Sequence, residues 1–272
     1  MKHEFSVLMT TYKNDSPSYL KEAINSIYQN QNIKPSEIIL IADGPLPIEL
    51  KNIIQIQEKE IPILKFFELE KNHGLAYALN YGINLCSYEL IFRMDSDDIS
   101  LPSRFEKQIS FMSLNPNIDV CGSFVDIIEP ETKQYLSTRK VPLEQNTIYQ
   151  YSKKRSPMNH PSVVFRKEII INNNYYPLFK KSQDYALWSK LLVNNVNFQN
   201  IPEVLVHMRG GDSLMNRRGI GYLINEIKVI SYQRSIGFLN NIEFIRNILL
   251  RTAFRIAPNS IKKILYKIVN RK

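Results

Sequence analysis

The stretch Glu89-Leu90-Ile91-Phe92-Arg93-Met94-Asp95-Ser96-Asp97-Asp98 decides how the chain is read. Leu90 to Met94 is a short apolar run of the kind that forms a buried strand, and it empties without a spacer into three carboxylates within four residues. Ser100-Leu101-Pro102 follows as a helix-start signal. Carboxylates so crowded repel one another unless a cation sits among them. If the chain stays extended, Asp95 and Asp97 fall on one side and can share one hard divalent ion. Mg2+ or Mn2+ takes one or two carboxylates together with substrate phosphate oxygens, which implies a nucleoside diphosphate joined to something. A solvated acidic turn capping the next helix is the other reading of the same spacing.

Upstream, Phe5 to Met9 reads as a buried strand that runs into the polar loop Thr10-Thr11-Tyr12-Lys13-Asn14-Asp15. Ser16-Pro17 opens a helix whose Leu20, Ala23, Ile24, Ile27 and Tyr28 share a face. Glu37 to Ala42 is a second apolar strand, stopped by Asp43-Gly44-Pro45. A helix with Ile53, Ile54 and Ile56 follows, then a strand near Leu64 to Glu68. Lys71-Asn72-His73-Gly74 next opens a helix carrying Leu75, Ala78, Leu79, Gly82 and Ile83 on one side. Strands alternating with helices, each strand an unbroken apolar run, predict an α/β fold with a mostly parallel sheet flanked by helices.

Ligands of such sheets bind outside the carboxyl ends of the strands. Those ends carry Thr11 and Tyr12, Asp43, Asn72, and Asp95 to Asp98. Each loop alone is an ordinary turn or helix entry; together they offer an acid for a base or ribose, a ring for stacking and carboxylates for a metal. The chain has no Gly-x-Gly-x-x-Gly and no Walker-type lysine loop, so a pyrophosphate would rest on metal and basic side chains.

With 272 residues, 44% of them apolar and 11% aromatic, the chain is long enough for one large domain with an appendage, and a folded core rather than disorder is expected. From Ser213 onward twelve Lys or Arg face only Glu226 and Glu243, a surplus of ten against a whole-chain charge of +9, so the preceding residues carry −1. Any affinity for phosphates or anionic lipid therefore belongs to the tail. Cys86 and Cys121 fall in segments that read as a buried helix end and a strand, which suits a reducing compartment. Met1-Lys2-His3-Glu4 runs straight into a strand with no signal-peptide stretch, and no run approaches a membrane-spanning length, so a cytoplasmic or membrane-surface protein is expected.

Downstream, Val120 to Ile128 reads as a strand, Glu129 to Glu144 as a surface loop, and Ser162 to Arg166 as another strand with Asn159-His160 at its start. His160 is a candidate for touching an acceptor or a phosphate, or is a satisfied histidine at a strand end. Asp184 stands in the first turn of a helix with Leu187, Leu191 and Leu192 on its buried face, where a carboxylate also suits the helix dipole. Val204 to Arg209 reads as a late strand. Gly210-Gly211-Asp212 followed by Arg217-Arg218-Gly219 suggests a flexible loop whose arginines close on a diphosphate. Ile245, Ile248, Leu249, Ala253 and Ile256 make one helical stripe, and Ile261, Ile264, Leu265 and Ile268 another, both flanked by Lys and Arg. Basic amphipathic helices of this type lie on anionic membranes or pack on the body with their charges solvated.

Taken together, Phe5 to Tyr12, Ile41-Ala42-Asp43-Gly44, Glu70 to Gly74 with Ala78-Leu79-Asn80, and Arg93 to Asp98 resemble the ordered motifs of glycosyltransferase family 2. The resemblance continues through Leu101-Pro102-Ser103-Arg104-Phe105, Asn159 to Arg166, Gln183 to Trp188 and Arg217-Arg218-Gly219, and so covers nearly the whole chain. Its closing helices are similar to the capsule, exopolysaccharide and O-antigen branch of the family, which includes amylovoran glycosyltransferases. The resemblance implies a GT-A fold, with a Rossmann-like sheet, and inverting transfer of a hexose from a UDP-sugar to a polyprenyl-diphosphate-linked glycan at the inner face of a bacterial cytoplasmic membrane. It implies that Tyr12 and Asp43 hold the uracil, with Thr11 against the nucleotide. Asp95 is expected on the ribose side or on a metal-bound water, and Asp97 as the direct ligand of Mn2+ or Mg2+. Asp98 would orient the loop.

The family's Glu-Asp motif, whose Asp is the general base, reads Gln183-Asp184 here, which keeps the base and drops a neighbouring charge. Many relatives carry Arg-x-His at the late strand to complete the metal shell; this chain reads Arg209-Gly210-Gly211, and His207, two residues before the arginine, is not expected to substitute. The expected division is a catalytic domain over 1–212, with a nucleotide-sugar half to about 100 and an acceptor half beyond, and a basic helical tail over 213–272. The rival functions are a non-catalytic nucleotide-sugar or glycan-binding module and a nucleic-acid-binding protein using the tail, whose basic stripes lack interleaved aromatics.

Overall fold

The computed structural model describes residues 4–210 and 220–256. Four apolar runs become the strands β1 (Phe5–Thr11), β2 (Glu37–Ala42), β3 (Leu64–Glu68) and β4 (Leu90–Asp95). They pair in parallel in the order β3-β2-β1-β4, with α1 (Pro17–Ile27), α2 (Ile48–Glu60) and α3 (Leu75–Leu85) as the crossovers. Alternate residues of each strand serve opposite faces. Phe5, Val7, Met9, Ile38 and Leu40 pack with α1 and α2, whereas Leu8, Ile39 and Ile41 pack with α3. Helix α3 comes so close to the sheet that a Cβ on Gly82 would lie 2.4 Å from Leu8 Cδ1, so glycine is the residue this crossing admits.

Beyond β4 the sheet continues with mixed pairing through β8 (Val164–Arg166), β6 (Val120–Ile128), β9 (Phe198–Arg209) and the short β5 (Ile99–Ser100), while β7 (Tyr135–Arg139) pairs with β6. The chain between β5 and β6 forms α4 (Arg104–Leu114); α5 (Gln145–Ser152), α6 (Lys167–Asn172) and α7 (Gln183–Val193) cover the α3 face. Two more helices, α8 (Ile220–Ser235) and α9 (Asn241–Ile256), follow. Ile230, Phe238 and Leu239 are buried in the same core as Leu187 and Trp188 of α7, and Gln233 Nε2 donates to Ser189 Oγ at 2.7 Å.

Three local expectations change. The helix signalled at Ser100-Leu101-Pro102 starts at Arg104, because Ile99 and Ser100 are held extended opposite His207 and Val206 of β9. The 129–144 segment is no plain loop. Tyr135–Arg139 folds back on β6, with Thr138 Oγ1 donating to Asp126 at 2.6 Å, and its largely exposed position explains the missing apolar signal. The strand expected from Ser162 starts at Val164, after a 3-10 turn over His160–Ser162.

The stripe drawn through α9 also divides. Phe244 and Ile248 pack inward, and Asn247 donates to the Lys153 carbonyl at 2.7 Å, while Ile242, Ile245, Leu249 and Leu250 face solvent. Arg217, Arg218 and the stripe from Ile261 lie outside the described residues.

Candidate active site

The carboxyl ends of β1, β2 and β4 open onto a cleft of about 730 Å³. Thr11, Tyr12, Asp43, Asn72, Asp95, Asp97, Asp98, His160 and Asp184 all line it, so the candidates from distant parts of the sequence meet in one place. Its volume falls within the range of small-ligand sites, roughly 300–1,000 Å³.

The carboxylate turn is more compact than an extended chain would make it. Strand β4 ends at Asp95, and the backbone turns through Ser96 and Asp97. Asp95, Asp97 and Asp98 thereby bring oxygens within 4.8 Å of one another. Asp98 is buried and accepts the Arg209 backbone N–H at 2.9 Å, while its other oxygen has no partner among the described residues. Burial, then repulsion from Asp95 and Asp97, pushes its carboxyl well above the ordinary range. Withdrawal from bulk water in the cleft, then the charges of Asp95 and Asp15, push Asp97 up to about 6. Because Asp97 stays open to solvent, repulsion is the cause that best accounts for the shift. The crowded, hard oxygen donors of this turn fit a divalent cation, with Asp97 and Asp95 as the accessible pair. His207 is not part of this group and does not line the cleft.

Three residues that sequence reasoning left without a role hold the turn in place. Arg93 is buried and ion-paired with Asp95, and its Nε and one Nη have no partner among the described residues. A guanidinium inside an apolar strand is costly without a counter-charge, and that cost was the available signal. Asp15 Oδ2 accepts from Thr11 Oγ1 at 2.9 Å, from the Tyr12 N–H at 3.1 Å and from Ser96 Oγ at 2.6 Å, which ties the loop after β1 to the carboxylate turn. Arg209 donates to the Asp97 carbonyl, pairs with Glu22 and lies 4.3 Å over the Tyr19 ring.

Asp43 is fixed by the neighbouring loop. Its oxygens accept the His73 and Gly74 N–H groups at 2.7 and 2.8 Å, and its carbonyl accepts Asn72 Nδ2 at 2.9 Å. The next residue, Gly44, has φ of +94°, and a Cβ there would lie 2.7 Å from the Asn72 nitrogen. Each Asp43 oxygen keeps a lone pair for a ligand N–H. Tyr12 is exposed at the mouth, as a stacking ring requires.

Asp184 sits in the first turn of α7, with Ser156 Oγ 3.4 Å from its Oδ2. Burial raises its carboxyl above the usual 3.8, against the pull of Arg139 and Arg93. His160 shares its Nε2 with the Tyr176 hydroxyl at 3.0 Å, and burial, then Arg93, holds it well below the usual imidazole range. It faces the cleft as a neutral ring and brings no charge to a phosphate.

Residues 6–174 match the family described as Glycosyl transferase family 2. The chain is 42% identical over 270 residues to an Escherichia coli UDP-Gal:alpha-D-GlcNAc-diphosphoundecaprenol beta-1,3-galactosyltransferase, covering 99% of this chain and 97% of that protein. It is 34% identical over 264 residues to the amylovoran biosynthesis glycosyltransferase AmsE of Erwinia amylovora, covering 97% and 98% of the two chains. Among solved structures, S. aureus TarS in complex with UDP-GlcNAc superposes with a TM-score of 0.68 at 17% identity, covering 94% of this chain and 74% of that one, which shows a shared fold.

Proposed function

The chain belongs to glycosyl transferase family 2, and from that premise we propose that it transfers a hexose, galactose foremost, from a UDP-sugar to a lipid-borne, diphosphate-linked N-acetylglucosamine with inversion at the transferred carbon. The donor and acceptor classes follow the printed activity of the E. coli relative, which matches along 99% of this chain. The observation that carries the chemistry is that Asp184 and the Asp95–Asp97 pair line one cleft with Tyr12 and Asp43.

In this reading Tyr12 stacks on the uracil, Asp43 accepts its imide N–H, and Thr11 and Asn72 line the nucleotide. Asp184 takes the proton of the acceptor hydroxyl as its oxygen attacks the sugar carbon from the face opposite the departing phosphate. A raised carboxyl is the better base near neutral pH while it still ionises there. A divalent ion, Mn2+ or Mg2+, would be held by Asp97 with Asp95 and would stabilise the charge developing on the departing UDP. Arg217 and Arg218 are suited to close on that diphosphate, and His160 offers the acceptor a neutral edge.

Residues 1–212 form the catalytic unit in this account, with the donor half before about residue 100. Among the described residues no helix is long and apolar enough to cross a membrane. The outward row Ile242, Ile245 and Leu249 on α9, together with the basic residues after Ser213, suits a peripheral position on the anionic inner face of a bacterial membrane, where lipid-linked acceptors for surface polysaccharide reside. Asp184→Asn tests the assignment of the base. Transfer is expected to fall by about 10²–10⁴-fold while UDP binding by calorimetry stays unchanged; loss of both together would remove the base role.

A further inference from the structure

Behind Asp184 the donor cleft opens into a second cavity of about 900 Å³. The two share Tyr12, Leu75, Arg139, Lys180, Lys181, Gln183 and Asp184, so the base and three cations stand at the junction. The far walls come from the chain after α5, from the segment that leads into α7, and from α8 and α9. Five cations line this cavity, Arg139, Arg155, Lys180, Lys181 and Arg251, against the carboxylates Asp184 and Glu226. Glu226 is engaged by Arg251 at 3.2 Å. Arg155 and Lys180 are exposed and form no ion pair among the described residues; Arg155 rests 5.6 Å over the Tyr151 ring, a contact that leaves its N–H fork available.

Charge is therefore graded along the active-site region: Asp15, Asp95, Asp97 and Asp98 line only the donor cleft, Arg139, Lys180 and Lys181 stand with Asp184 at the junction, and Arg155 and Arg251 line only the second cavity. An anion at the acidic end needs a metal beside it. An anion at the basic end needs none, and a concave site of one sign concentrates its field on such a ligand. We propose that this second cavity is the docking site for the acceptor's diphosphate, gripped by Arg155 and Lys180 with Arg139 and Arg251 beside them. The proposal rests on the functional reading above, since it takes the acceptor hydroxyl to lie at Asp184. A sugar whose hydroxyl meets Asp184 then has its diphosphate on the side away from the donor. Helices α8 and α9 acquire a purpose as a wall of the acceptor site.

The test compares two acceptors with the same sugar, one an N-acetylglucosaminyl diphosphate long-chain alkyl ester and the other the uncharged alkyl glycoside. With saturating UDP-Gal, kcat/KM is measured on both for the unaltered protein and for the Arg155→Gln/Lys180→Gln double variant. The preference for the diphosphate acceptor is expected to fall by about tenfold or more, mostly through KM, with Arg155→Lys retaining most of it. A second arm is independent of turnover. Binding of the diphosphate alkyl ester to Asp184→Asn protein should weaken by about tenfold when Arg155→Gln and Lys180→Gln are added, while the UDP affinity of Arg155→Gln, which lines only the second cavity, stays within about twofold. An unchanged preference, or an equal loss of UDP affinity in Arg155→Gln that places this cation on the donor, would overturn the proposal. Failure of the unaltered protein to transfer to either acceptor would instead overturn the functional reading, and the binding arm would still decide for or against the cavity.

Discussion

A carboxylate keeps its proton to higher pH when it gives up water or faces other negative charges, and Asp184 and Asp97 show one case each. Burial raises Asp184 above 3.8, and the base role proposed for it requires the ionised form, so the acid limb of kcat/KM should lie above pH 3.8 and activity should fall as pH drops through it. A pH–rate profile with its limb at or below 3.8 would contradict the environment assigned to the base. Asp97, raised to about 6, binds its proton more tightly in the folded chain than in the unfolded one. The metal-free protein therefore loses stability as pH rises from about 4 to about 6. Asp97→Asn should then raise the melting temperature of EDTA-treated protein at neutral pH while weakening Mn2+-dependent UDP binding. If Asp97 holds the cation as proposed, protons compete with it there, so Mn2+ affinity in the presence of UDP should fall by up to about tenfold per unit below pH 6; calorimetric titration between pH 5 and 7.5 measures it.

At the level of elements, the site depends on how closely α3 and the loops at the carboxyl ends approach the sheet. A methyl group on Gly82 meets Leu8 Cδ1 at 2.4 Å and Ile41 Cγ1 at 3.0 Å, so Gly82→Ala should cost about 1–3 kcal/mol in denaturant unfolding with UDP affinity little changed. Gly44→Ala combines a clash against Asn72 backbone with a left-handed φ, and should weaken UDP binding through Asp43. The alternating units from Phe5 to Asp95 were legible because both faces of each crossover bury apolar residues at regular spacing. Asp43, Asp95, Asp97 and Asp184 were legible because polar residues at strand and helix ends interrupt that spacing. Strand β7 was not, since a largely exposed edge strand needs no apolar run. Arg93, Asp15 and Arg209 were quoted inside motifs but given no task, because their work is to pair with groups brought near by β4, β9 and the loops, and linear order does not show those neighbours.

For the molecule as a whole, charge and apolar surface are unevenly placed. The surplus of basic residues lies after Ser213, and the outward face of α9 carries Ile242, Ile245 and Leu249 at intervals of three and four. Co-sedimentation with phosphatidylglycerol vesicles should therefore be strong at low salt and fall as salt rises, each basic residue near the surface contributing about 1 kcal/mol. Ile245→Glu/Leu249→Glu should reduce it without altering UDP binding; equal binding by that variant would mean the helix does not meet the membrane. The proposed mechanism joins a metal-held UDP-sugar and a base at Asp184 in one cleft. The direct measurement supplies purified protein with UDP-Gal and an N-acetylglucosaminyl diphosphate alkyl ester, with Mn2+, Mg2+ or EDTA, and follows UDP release together with product mass. A disaccharide product and equal UDP release are expected with a divalent ion, both lost in EDTA and in Asp184→Asn. Transfer undiminished by EDTA, or no transfer from any UDP-sugar, would contradict that mechanism.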